Sequence, residues 1–247
     1  MGMDVSKRDF LKKVGIVTAG VPFIPFAEAG SFFKPERHGG SDEHRYAMLI
    51  DLRRCVGCQS CTVSCTIENK TPEGSFRTSV NQYQVKLTSE SRITNVLLPR
   101  LCNHCDNPPC VPVCPVQATF QRKDGIVVID NTRCVGCAYC VQACPYDARF
   151  INHAIQTADK CTFCVHRLEA GLLPACVESC VGGARIIGDL KDPHSTISTM
   201  LVAYREEIKV LKPENKTNPH VFYLGLDDAF VTPLQGKAQP ALWQERV

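Results

Sequence analysis

Beyond Gly30 the chain lacks any uninterrupted apolar stretch approaching the ~20 residues that cross a bilayer, so no membrane span is expected there. It also lacks a strong charge of either sign: 28 Lys and Arg against 25 Asp and Glu leave a formal net charge of +3. No basic cluster is interleaved with aromatic residues, as a single-strand binder requires, which excludes nucleic acid as a partner. Cysteine is missing from residues 1–54 and again from 181–247. Between those limits it is abundant.

All sixteen cysteines lie between Cys55 and Cys180, in four groups of four. The first group is Cys55, Cys58, Cys61 and Cys65, and the second is Cys102, Cys105, Cys110 and Cys114. Cys134, Cys137, Cys140 and Cys144 form the third, and Cys161, Cys164, Cys176 and Cys180 the fourth. A disulfide framework scatters its cysteines through the loops it staples, whereas Cys-x-x-Cys-x-x-Cys-x-x-x-Cys brings thiols to one point. Zinc also takes paired Cys-x-x-Cys, but zinc ribbons seldom place four cysteines within eleven residues. The run Cys134 to Cys144 followed by Pro145 matches the bacterial ferredoxin pattern, in which the fourth cysteine of a run binds the other cluster of a pair. Four groups therefore predict four [4Fe–4S] clusters, with the iron of the clusters as the only metal. With their thiolates these would add roughly −8 in formal charge.

The chain repeats itself. Ile50 to Cys58 reappears 79 residues later as Ile129 to Cys137, and Cys61 and Cys65 map onto Cys140 and Cys144. The second and fourth groups are kin as well, each opening Cys-x-x-Cys and closing Cys-x-x-x-Cys. Short apolar strands, Tyr46 to Leu52 and Gly125 to Asp130, precede the first and third groups. Gly57 and Gly136 supply the positive φ and close backbone approach that a tight cluster loop requires. The predicted fold is α+β: duplicated ferredoxin-like modules that each bind two clusters, with long loops and an extended C-terminal arm.

Pro115 and Pro145 follow the second and third groups, whereas Thr66 and Val181 follow the first and fourth. This favours pairing second with third and first with fourth, although membership as ligands does not depend on it. Exchanging fourth cysteines gives Cys55, Cys58, Cys61 with Cys180 as set 1, and Cys65 with Cys161, Cys164, Cys176 as set 2. Set 3 is Cys102, Cys105, Cys110 with Cys144, and set 4 is Cys114 with Cys134, Cys137, Cys140.

Around these groups, His104 and His166 are expected to face solvent or a partner, with a role as cluster ligand the alternative that the four cysteines already available disfavour. Arg53, Arg54, Arg133 and Lys160 precede ligands, where they either offset cluster charge or are ordinary solvated residues. Asn81 to Leu87 and Ile93 to Leu98 are expected to form a hairpin connected through Ser89 to Arg92. Apolar residues from Ile197 to Leu211 recur at helical spacing, with Ser195 as cap and Pro213 beyond the end. The prolines after Pro213 suggest an arm lying along a partner.

At the N-terminus, Ser6-Lys7-Arg8-Asp9-Phe10-Leu11-Lys12 precedes an apolar run from Val14 to Ala27 and a small-residue site at Ala27-Glu28-Ala29. It resembles a twin-arginine export signal, with Lys7 where the first arginine is expected. The alternative is an uncleaved helix or tail. The resulting division is an export signal over 1–29, a four-cluster region over 30–190 and a C-terminal helix and arm over 191–247.

Essentially the whole chain resembles the four-cluster subunits of molybdopterin-type respiratory reductases. Ala47 to Cys55, Leu101 to Cys110, Lys160 to Leu168, Gly225 to Leu234 and Gln239 to Glu245 carry the likeness along with the cysteines. The resemblance supports the four ligand sets above. It implies two partners, a catalytic subunit with a molybdopterin cofactor and an integral-membrane subunit that oxidises quinol. The chain itself would carry no catalytic residue. It would be exported to the periplasm and held at the membrane through its complex. The likeness is greatest to members that serve reduction of tetrathionate to thiosulfate, while members serving polysulfide, sulfoxide or arsenate share the cysteine plan. A freely diffusing polyferredoxin is the alternative, disfavoured by the long segments between motifs.

Overall fold

The computed structural model describes residues 37–86, 93–226 and 239–241. The expected signal at 1–29, the connection from Ser89 to Arg92 and much of the tail lie outside these residues. No helix among the described residues is long and apolar enough to cross a membrane.

The fold is α+β and is organised around β1 (Tyr46–Asp51), whose residues from Ala47 onward are all buried. Its alternating side chains enter two different clusters, because a strand sends successive residues to opposite faces. Ala47 and Leu49 pack with Ile197 and Leu224. Met48 and Ile50 pack with Tyr223, Cys61 and Cys102 in the main core. A strand covered on both faces reads as a continuous apolar run, as this one does.

Each group of cysteines is followed by a strand that pairs, antiparallel, with the strand leading into another group. After the first group, β2 (Thr78–Lys86) pairs with β3 (Ile93–Leu101), which enters the second. After the second, β4 (Thr119–Gln121) pairs with β5 (Val127–Ile129), which enters the third. After the third, β6 (Arg149–Asn152) pairs with β7 (Thr157–Lys160), which enters the fourth. After the fourth, β8 (Arg185–Asp189) returns to β1, which enters the first. The succession closes on itself, so the first and fourth groups are neighbours although 96 residues separate Cys65 from Cys161.

Helices are short and sit at the loops. α1 (Ser60–Asn69) buries Cys61 and Cys65, one turn apart, on its inner side. α2 (Tyr139–Gln142), α3 (Val165–Glu169) and α4 (Ala175–Glu178) follow. The Ser64 hydroxyl on α1 lies 2.7 Å from that of Ser179, just beyond α4, and so ties the first group to the fourth.

Two expectations for the C-terminal region change. The helix α5 (Thr196–Ala203) starts as predicted, with the Ser195 Oγ accepting from the Ser198 N–H at 3.3 Å, but it ends eight residues before Leu211. Ile208 and Lys209 form β9 instead, since backbone pairing with β10 (Val221–Leu224) satisfies groups that a longer helix would leave facing the sheet. Nor do residues 213–226 form a partner-lying arm. β10 lies parallel to β1, with Met48 opposite Val221 and Asp51 opposite Leu224. Val221, Tyr223 and Leu224 are fully buried, and burial of that apolar run outweighs the local proline signals. Gln239–Ala241 forms β11, which adds to β2.

Candidate metal centres

In all four groups the third position of the leading Cys-x-x-Cys takes a positive φ: Gly57 at +70°, His104 at +42°, Gly136 at +68° and Phe163 at +52°. Two of the four are not glycine, so this left-handed turn belongs to the loop geometry rather than to residue preference. Backbone N–H groups in and around these loops point at sulfur. Ala118 N–H donates to Cys114 Sγ at 3.2 Å, and Ala184 N–H to Cys180 Sγ at 3.2 Å. Phe163 N–H reaches Cys161 Sγ and Ala158 N–H reaches Cys134 Sγ, both at 3.4 Å. Such donors stabilise sulfur that carries negative charge.

The sixteen cysteines are all free thiols. Cys55, Cys58, Cys61 and Cys180 line one recess of about 350 Å³, and Cys114, Cys134, Cys137 and Cys140 line another of about 280 Å³. Seven of the other eight thiols are buried, and Cys144 is half-buried. Burial, followed by the neighbouring Cys176 and Cys164, pushes the Cys65 thiol up to about 12. Cys161 is likewise raised by burial and by Cys65 and Cys176. Burial, then Cys102 and to a smaller extent Cys110 and Cys144, pushes Cys105 up to about 12. Cys65, Cys161, Cys164 and Cys176 thus act on one another, as do Cys102, Cys105, Cys110 and Cys144, and Cys102 acts on Cys161 as well. A thiol raised by burial holds its proton until a metal displaces it.

A single zinc with Zn–S near 2.3 Å would draw its four sulfurs to about 3.8 Å from one another. Among the described residues no three His, Cys, Asp or Glu groups converge closely enough to hold one ion. Cysteines standing around a recess suit a polynuclear iron–sulfur core instead.

The surrounding charge fits the same group. Arg149, Lys160 and Arg185 are 4%, 0% and 3% exposed. Among the described residues none of them is paired with a carboxylate, although a buried cation demands an anion nearby. Sulfur supplies it. Arg149 Nη2 donates to Cys110 Sγ at 3.0 Å. Burial works against charge on Arg149 and Arg185, but the cysteines facing them, once ionised, outweigh it and raise both guanidinium pKa values. Arg185 Nη1 and His104 Nε2 are buried with no protein partner, as donors reserved for an inorganic sulfide would be.

One expectation about a side chain is overturned here, and one of two alternatives for another is removed. His104 does not face solvent or a partner: it is 1% exposed, accepts the Val127 N–H through Nδ1 at 3.1 Å and packs on Phe163 at a centroid separation of 3.8 Å. Burial depresses its pKa well below the usual histidine value, so the ring is neutral and its proton sits on Nε2. Lys160 is not a solvated residue, since its Nζ donates to the Cys161 carbonyl at 2.7 Å and to the Val127 carbonyl. His166 does face solvent and bonds Glu68 at 2.8 Å. Arg53 and Arg54 are exposed, the former paired with Asp51 at 2.9 Å, and Arg133 is exposed too. The buried arginines were not singled out in the sequence. One signal could have found them: Arg149 and Arg185 each follow an alanine, five residues after the last cysteine of a group.

Residues 93–190 match the 4Fe-4S dicluster domain family. The chain is 79% identical over 245 residues to the B component of tetrathionate reductase from Salmonella typhimurium, covering 99% of this chain and 98% of the relative. A protein of the same description from Archaeoglobus fulgidus is 44% identical over 182 residues, or 74% of this chain and 83% of the relative. The B component of polysulfide reductase from Wolinella succinogenes is 38% identical over 181 residues, 72% of this chain and 93% of the relative.

Proposed function

This protein belongs to the family of iron–sulfur electron-transfer subunits of respiratory reductases, the B component of tetrathionate reductase included, and we propose that it relays electrons from a quinol-oxidising integral-membrane subunit to a molybdopterin catalytic subunit that reduces tetrathionate to thiosulfate. The observation that carries this reading is a set of sixteen free cysteines in four sequence groups, with two recesses that each combine three cysteines of one group with one from another group. We assign sets 1 to 4 to four [4Fe–4S] clusters, held in two interleaved modules, the first pairing sets 1 and 2 and the second pairing sets 3 and 4. When bound, the clusters supply one-electron carriers and no atoms enter or leave the chain.

The chain's own residues do the rest. Backbone N–H groups and the buried cations hold negative sulfur, and burial of set 2 keeps water away from the interior of the path. Cys58 and Cys137 are exposed, so sets 1 and 4 reach the surface where a partner could dock. Apolar residues rim both openings: Val56 is 66% exposed beside Cys58, and Val135 is 64% exposed beside Cys137. Two such openings suit a carrier with one donor and one acceptor partner. Tetrathionate itself is split by the catalytic partner, two electrons cleaving its central S–S bond to leave two thiosulfates. The segment 1–29 serves as a twin-arginine-type export signal and delivers the folded chain to the periplasm.

Anaerobic iron and acid-labile sulfide analysis, with visible spectra before and after dithionite, tests the reading. About sixteen iron and sixteen sulfide per chain, with absorption that bleaches on reduction, are expected. Stoichiometric zinc without bleaching would overturn it. Co-expression with each candidate catalytic subunit, followed by turnover with tetrathionate and with polysulfide, tests the terminal acceptor.

A further inference from the structure

Resting on the four ligand sets assigned above, we propose that Arg185, Lys160 and Arg149 are junction cations, one between each pair of successive sets, and that each raises the midpoint potentials of the two clusters it separates.

Placement carries the argument. Arg185 lines the recess of set 1. Its Nη2 donates to Thr78 Oγ1 at 2.7 Å, and its charge also acts on Cys176 of set 2. Lys160 joins sets 2 and 3. Its Nζ donates to the carbonyl of Cys161, a set 2 residue, and to that of Val127, whose N–H rests on His104 within the Cys102 to Cys105 loop of set 3. Arg149 joins sets 3 and 4. Its Nη2 donates to Cys110 Sγ of set 3 at 3.0 Å, while Nη1 donates at 3.2 Å to Thr119 Oγ1, which lines the set 4 recess.

All three are buried and none has a carboxylate partner among the described residues, so no acidic group offsets their charge; burial lowers the pKa of Lys160, and the sulfurs of Cys102 and Cys161 act against that. The guanidinium groups cannot lose theirs by deprotonation. Reduction adds one negative charge to a site that is already anionic. A fixed positive charge at low dielectric favours that reduced form and so raises its potential. Placed between two sets, each cation also screens one reduced site from the next. Without it, an electron resting on one cluster would make its neighbour harder to reduce.

The test uses the full-length chain loaded with clusters, carrying Arg185→Met, Lys160→Met or Arg149→Met singly. Iron and sulfide are counted first, and the four midpoints are then read by redox titration followed with EPR. Arg185→Met is expected to lower two midpoints, Arg149→Met the other two, and Lys160→Met one from each pair. Arg185→Lys, Arg149→Lys and Lys160→Arg keep the charge and are expected to keep the wild-type midpoints.

Unchanged midpoints in a fully loaded methionine variant overturn the proposal, as does an equal fall in all four. Where a methionine variant fails to retain iron, the charge-keeping variant at that position decides, and lowered midpoints there overturn the proposal. A wild-type chain without about sixteen iron would instead sink the four-cluster reading itself.

Discussion

Replacing Gly136 by alanine separates the two demands that the loop of the third cysteine group makes on its backbone. Gly136 has φ +68°, and a Cβ there would stand 2.5 Å from the carbonyl oxygen of Gln156 in the β6–β7 turn. The left-handed conformation costs an L-residue about 1–2 kcal/mol. Relieving the clash, which involves backbone and not a mobile side-chain tip, adds about 1–3 kcal/mol. Gly171 is the control, because its φ is +74° yet nothing lies within 4 Å of its Cβ position. Ala138, with φ +63°, already shows that a side chain can take such a conformation where there is room. With roughly 2–4 °C of Tm per kcal/mol for a chain of this size, Gly171→Ala is expected to lower Tm by a few degrees and Gly136→Ala by roughly 5–15 °C. The damage at Gly136 should also be local. Cys134 and Cys137 flank it, and the Ala158 N–H that bonds Cys134 at 3.4 Å leaves the same turn as Gln156. Iron should therefore fall from about sixteen toward about twelve per chain. Scanning calorimetry of the loaded proteins at one fixed rate, with iron analysis on the same samples, makes the comparison. A Gly136→Ala protein no less stable than Gly171→Ala, with full iron, would refute the reasoning.

Ser195→Ala removes the N-cap of α5, where Ser195 Oγ accepts from Ser198 N–H and donates to the Asp189 carbonyl at 2.7 Å; a loss of about 1–2 kcal/mol is expected by denaturant unfolding, with iron content unchanged. Asp51, buried beneath Arg53, accepts from its Nε and Nη2 at 2.9 Å, which holds the carboxyl below its ordinary range. A depressed folded pKa gives stability that is complete above the unfolded value of about 3.9 and is lost as pH falls through the folded one. The stability gap between wild type and Asp51→Asn should accordingly be about 1–3 kcal/mol and constant above about pH 5, and should close below about pH 4 in an unfolding series. Val135→Asp, on an exposed rim, should change stability by no more than about 0.5 kcal/mol and leave the iron in place. Its effect should appear as weakened co-purification with one partner subunit, and unaltered co-purification would remove that rim from the docking surface.

Much of the fold could be read from spacing alone. The repeat that places Ile50 to Cys58 over Ile129 to Cys137 located β1 and β5, because alternating apolar residues before a cysteine loop have few conformations open to them. Ser195 marked the start of α5 because a cap is a local interaction. The end of that helix was hidden. Ile208 and Leu211 keep helical spacing, and only the distant strand Val221–Leu224 diverts them. Val221–Leu224 was itself obscured by Pro213 and Pro219, since punctuation by proline is visible locally while pairing with β1 is not. At the candidate centres, residue type and spacing pointed to the cysteines. Nothing local distinguished buried Lys160 from exposed Arg54, each standing just before a cysteine.

The repeat also explains why the buried cations are hard to find by aligning its halves. Thr78 and Leu101 face each other across β2 and β3 at the register position that Arg149 and Lys160 occupy across β6 and β7. One half of the chain thus carries threonine and leucine where the other carries two cations. The missing arginine is supplied from elsewhere: Arg185, at the start of β8, bonds Thr78, just as Arg149 bonds Thr119 at the start of β4. Each Arg–Thr pair keeps its chemistry but is exchanged between strands, so a position-by-position comparison of the halves pairs Arg149 with Thr78 and Arg185 with Thr119 and shows no cation in common. The exchange has a physical reason. Two guanidiniums meeting at one junction would repel each other in a buried site, while two threonines would leave sulfur without a counter-charge. One of each satisfies both constraints. The middle position obeys the same rule with a single lysine, for the two equivalent loops come face to face there, His104 against Phe163, and the residue equivalent to Lys160 is the apolar Leu101.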